Sequence, residues 1–116
     1  MNVYLPDRWI MLKIVNRADP EQPPLYKVYA TWKGSYADAD YWKINSGCAS
    51  VEETEDHYKF FGHSGSVYQC AKDRYGYAYS GAGDMIIDYI ERIEELNYEV
   101  SIMLEDTDFS GLFQPL

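Results

Sequence analysis

The chain has 116 residues, 47% of them hydrophobic and 16% aromatic, with twelve tyrosines and a formal net charge of −9. This is enough for one domain with a hydrophobic core. It is too apolar for a disordered chain, and it lacks the run of about eighteen uncharged apolar residues that a membrane span needs. The charge is lopsided: Asp84, Asp88, Glu91, Glu94, Glu95, Glu99, Glu105, Asp106 and Asp108 stand against Arg92 alone, while the first fifty residues carry six bases and five acids.

In chain order, Arg8 to Asn16 (RWIMLKIVN) is apolar on both alternating sets, Ile10, Leu12 and Ile14 on one and Trp9, Met11 and Val15 on the other. That pattern predicts a central strand covered on both faces. Arg17 to Pro24 holds Asp19, Pro20, Pro23 and Pro24 and reads as a loop. Leu25 to Lys33 alternates Tyr26, Val28, Ala30 and Trp32 with Leu25, Lys27, Tyr29, Thr31 and Lys33, which predicts a half-buried strand with a basic outer face. Gly34 to Asp40 reads as a turn. Four short β segments follow at Tyr41–Ser46, Ala49–Glu53, His57–Gly62 and Ser66–Cys70, broken at Ser46-Gly47, Glu55-Asp56 and His63-Ser64-Gly65, and their spacing implies an antiparallel meander.

Ala71 to Gly83, rich in Gly and Tyr, reads as a surface loop carrying Tyr75, Tyr77 and Tyr79. A helix then runs from about Asp84, its expected N-cap, to Leu96. Ile86, Ile90 and Ile93 form its apolar stripe, widened by Ile87, Tyr89 and Leu96, and Asp88, Glu91, Glu94 and Glu95 occupy the wet side. Asn97 suits a left-handed C-terminal cap, and Tyr98 to Leu104 alternates as a closing strand. The tail is acidic and then apolar at Phe109, Leu112 and Phe113. The expectation is a single α+β domain over 1–116: a mainly antiparallel sheet of five to seven strands with one amphipathic helix near the C-terminus.

The pattern argues against several chemistries. Cys48 and Cys70 lack CxxC spacing and a nearby histidine at ligand spacing, so reduced, semi-buried thiols are expected and zinc is not. His57, His63 and Ser64 offer no nucleophile, base and orienting group in sequence, and there is no P-loop, GxGxxG or HExxH motif. No catalytic residue, metal or cofactor is expected. The N-terminus lacks the basic and then apolar layout of a signal peptide, and a cytoplasmic location follows. The aromatic-rich stretch from Tyr26 to Tyr79, with Lys72 and Arg74, leaves open a small nucleotide ligand, but the net charge opposes a long nucleic acid. Acids near the helix C-terminus oppose the helix dipole, which selection for helix stability alone does not favour.

In size, acidity and tyrosine content the chain resembles the small accessory proteins encoded by bacteriophages, including anti-CRISPR and anti-restriction inhibitors, and His63-Ser64-Gly65-Ser66-Val67-Tyr68 is the segment most like them. The resemblance implies a non-enzymatic inhibitor acting in a bacterial host cell on a basic nucleic-acid-handling protein, with no direct nucleic-acid or membrane contact. The partner-binding residues are then Asp84, Asp88, Glu91, Glu94, Glu95, Glu99, Glu105, Asp106 and Asp108, with Tyr75 and Tyr77 supplying contact area. An immunity protein for a basic nuclease fits the same features, and the apolar tail Phe109 to Phe113 leaves self-association as a homo-oligomer open.

Overall fold

The computed structural model describes residues 2–35 and 39–113, so the middle of the expected Gly34–Asp40 turn lies outside the described residues. Among the described residues eight strands and one α-helix are arranged as three layers: β1 (Val3–Tyr4), β2 (Arg8–Asn16), β3 (Leu25–Trp32), β4 (Tyr41–Ile44), β5 (Cys48–Glu53), β6 (His57–Gly62), β7 (Val67–Ala71), α1 (Ala82–Glu94) and β8 (Tyr98–Ile102), followed by a 3-10 turn at Phe109–Leu112. The fold is α+β, but the strands do not share one sheet of five to seven. They divide into a central sheet ordered β4-β3-β2-β8 and an outer sheet ordered β1-β7-β6-β5. All pairings are antiparallel except that of β1 with β7, which is parallel with Val3 opposite Val67.

The central sheet is covered on both sides, which is why β2 is apolar at consecutive positions. Trp9, Met11, Val28 and Ala30 face the outer sheet and pack on Cys48, Phe60, Tyr68 and Cys70. Ile10, Leu12, Ile14, Tyr29 and Val100 face the opposite way and receive Ala82 and Ile86 of α1. The helix therefore covers the face of β3 that its lysines mark as outer. Tyr29 and Thr31 are fully buried there, and the Tyr29 hydroxyl donates to the Ala82 carbonyl at 2.8 Å.

The expected four-segment meander holds for β5, β6 and β7 only; β4 pairs with β3 in the other sheet. The change of sheet is made by Asn45 and Gly47. Asn45 N donates to Val28 O at 3.1 Å, its side-chain Oδ1 accepts from Val28 N at 2.9 Å, and Nδ2 donates to Cys48 Sγ at 3.3 Å. One amide side chain thus finishes the β3 ladder where β4 departs. Gly47 then turns the chain at φ +125, where a Cβ would lie 2.6 Å from Leu25 Cδ1. Only glycine fits both constraints.

Further differences from the sequence expectation lie near the C-terminus. The helix begins two residues earlier than Asp84, after Gly81, and Asp84 sits in its first turn without capping. Asn97 does take the left-handed conformation, at φ 70. The closing strand ends at Ile102, and both Ile102 and Leu104 are exposed because β8 is an edge strand at its end. Phe109 is 1% exposed and belongs to the core between the sheets, against Trp9, Tyr58, Phe60 and Tyr75.

Candidate functional site

Helix α1 docks through Ala82 and Ile86, with Tyr89, Ile90 and Ile93 half-buried beside them. At 3.6 residues per turn, Asp84, Asp88, Glu91 and Glu95 follow one ridge on the opposite side, about one carboxylate for each 5.4 Å turn. All four are exposed. Among the described residues the ion pairs are Arg17–Glu94, Lys33–Asp40 and Lys72–Glu53, so none of the four ridge carboxylates is neutralised by one.

Large apolar side chains flank this ridge. Met85 is 41% exposed, Ile87 52% and Leu96 67%. Ile87 and Leu96 therefore do not widen the buried stripe as their spacing predicts. Ile87 lies about 100° around the helix from Ile86, off the face formed by Ala82, Ile86, Tyr89, Ile90 and Ile93, and Leu96 lies past the last helical turn. Apolar area set beside unpaired charge is what sequence periodicity missed at this site. The signal for it was the excess of isoleucine and leucine over what one buried stripe needs.

The remaining acids lie elsewhere. Glu94 is half-buried and pairs with Arg17 at 3.6 Å. Glu99 alternates with Val100, which packs under α1, so it points to the other side of the central sheet. Glu105 and Asp106 are exposed in the turn after Leu104, and Asp108 caps the 3-10 turn by accepting from the Gly111 amide. The structure thus brings four of the nine carboxylates onto one surface and distributes the other five.

No protein-family model, curated protein or solved structure matches the chain.

The two tyrosines expected at a contact surface differ in placement. Tyr77 is 38% exposed and lies against Tyr29 and Gly83 at the start of α1. Tyr75 points inward. Its hydroxyl accepts from Met11 N at 3.0 Å and donates to Met103 O at 2.6 Å, while its ring meets Trp9 edge-on at 4.8 Å. Burial pushes the Tyr75 phenol up to about 12. Most of the other aromatic residues also fill the space between the sheets, so the aromatic stretch is chiefly core.

Lys72, read with Arg74 as a phosphate contact, is held by the Glu53 carboxylate and lies 5.1 Å from the Tyr58 ring centre. Glu53 also accepts from Ser110, and these two partners, Lys72 first, pull its carboxyl below the usual range. His63 and Ser64 form a turn: His63 N donates to Gly47 O at 2.9 Å, Ser64 N to Ser46 Oγ at 3.1 Å, and Gly65 has φ +93. Cys48 and Cys70 are buried free thiols. Burial raises both, Cys48 to about 11, which keeps them protonated and poorly nucleophilic at neutral pH. Among the described residues no helix is long and apolar enough to cross a membrane.

Proposed function

We propose that this is a non-enzymatic binding protein whose α1 face docks on the basic groove of a nucleic-acid-handling protein, in the manner of the phage-encoded inhibitors it resembles. One observation carries the reading: Asp84, Asp88, Glu91 and Glu95 form an unpaired ridge bordered by exposed Met85, Ile87 and Leu96. The charges supply long-range attraction, which speeds encounter and weakens with salt. The apolar flanks supply area that a partner removes from water, and a surface with charge alone would have no such short-range contribution. Glu99, Glu105, Asp106 and Asp108 add to the general field without belonging to the docking ridge.

A basic nuclease has the same surface chemistry as a host-defence effector, and both fall within this reading. The test is competition. The tagged protein is used to capture its target from a bacterial lysate at low salt, and a short DNA duplex is then added. Release of the target by duplex, at a salt concentration that alone does not release it, supports a shared groove. A ternary complex in which the target holds duplex and inhibitor together contradicts it.

A further inference from the structure

A cleft of about 450 Å³ opens where β2 begins, with Arg8, Lys33, Arg74 and Asp7 at its walls and Pro6 and Ala78 among its floor residues. Three of the ten bases of a strongly acidic chain converge on it. Among the described residues the cleft is lined by one carboxylate, and Asp7 Oδ2 accepts from the Lys33 amide at 2.8 Å. Lys33 makes one exposed ion pair among the described residues, 3.8 Å to Asp40 Oδ2, and neither arginine forms one there.

The arginines are set by hydrogen-bonded backbone. An isolated parallel bridge joins Trp9 to Tyr75, with Trp9 N donating to Arg74 O at 3.2 Å and Gly76 N to Trp9 O at 2.8 Å, so Arg8 and Arg74 run abreast. Gly76, at φ +132, brings the loop to the Arg8 side chain; a Cβ there would lie 4.0 Å from Arg8 Nη1. Thr31 ties two lining residues together, its Oγ1 accepting from Ala78 N at 2.9 Å and donating to Arg8 O at 3.2 Å. Two arginines without ion pairs among the described residues, on a fixed frame in a concave site where bases outnumber the carboxylate, favour an anion that accepts hydrogen bonds on several sides, and the guanidinium fork matches phosphate oxygens.

We propose that this cleft binds the phosphate group of a small phosphorylated molecule, of nucleotide or sugar-phosphate size. The volume admits such a ligand. Among the described residues the lining carries no aromatic ring, and the proposal is therefore for the phosphate and not for a base. The proposal is independent of the α1 docking face.

The test is isothermal titration and thermal shift of the full chain with pyrophosphate, adenosine monophosphate and adenosine. Pyrophosphate and the monophosphate should bind saturably and raise the melting temperature, and adenosine should not. Arg74→Gln, an exposed side chain whose structural contact is made by its backbone, should weaken binding at least tenfold. Arg8→Gln should do likewise, whereas Lys59→Gln, an equal change of net charge on β6, should bind as the wild type does. Absence of saturable binding by the wild type, equal affinity in Arg74→Gln, an equal loss in Lys59→Gln, or binding of adenosine and its monophosphate alike would each overturn the assignment. Should Arg8→Gln fail to fold by circular dichroism, Arg74→Gln decides alone.

Discussion

At the scale of single residues, polar side chains substitute for missing rungs of the sheets. The Tyr75 hydroxyl takes the place of one rung where β8 ends, between Met11 N and Met103 O, and Met103 N still donates to Met11 O at 2.9 Å. Removing that hydroxyl leaves a strand amide without its acceptor while the ring still fills the core. Tyr75→Phe should therefore cost about 1–3 kcal/mol, read in urea as a lower midpoint with an unchanged slope. A midpoint equal to the wild type would show that the bridge contributes nothing. Asn45 acts in the same way at the other edge of the central sheet, so a buried asparagine, ordinarily unfavourable in a core, here terminates β4.

At the scale of elements, the tail after β8 belongs to the core. Phe109 inserts between the sheets with ring centres 5.1 Å from Trp9 and 5.5 Å from Tyr58. Phe109→Ala should cost about 3–5 kcal/mol, and equilibrium denaturation measures it directly. A loss under 1 kcal/mol would mean that the tail packs loosely. The local alternation of side chains made β2, the β5–β7 hairpins, α1 and the Asn97 cap legible in the sequence. It did not reveal β1, only two residues long, whose pairing with β7 spans more than sixty positions. Nor did it separate the two sheets, because that division depends on Asn45 and Gly47 and not on any hydrophobic period. At the candidate site the acidic ridge was legible from helical spacing. The exposure of Ile87 and Leu96 and the burial of Tyr75 were not, since the first depends on which side of α1 meets the central sheet and the second on long-range contacts of Tyr75 with Trp9, Met11 and Met103.

At the scale of the whole molecule, the many tyrosines set an alkaline limit. Burial, the first cause in each case, raises Tyr68 and Tyr75 from 10.0 to about 12 and Tyr29 further, with neighbouring tyrosines adding to the Tyr29 shift. The folded state then holds protons that the unfolded state releases, so this contribution to stability is complete below pH 10 and is lost as pH rises through about 12. A titration should show the buried Tyr29, Tyr68 and Tyr75 phenols ionising only together with loss of the circular dichroism signal. A single wave of ionisation with the fold intact would contradict this. The same lopsided charge that leaves the Asp84–Glu95 ridge without ion pairs among the described residues should govern association, and charge reversal on the ridge tests that claim most directly. Wild type, Asp88→Lys/Glu91→Lys/Glu95→Lys and, as an equal reversal away from the helix, Glu21→Lys/Glu52→Lys/Glu55→Lys are compared in low-salt capture from the same lysate. A nucleic-acid-binding protein retained by the wild type and the control, released at high salt and absent from the α1 variant, is the expected result. Equal retention by the α1 variant would show that the ridge is not the docking surface.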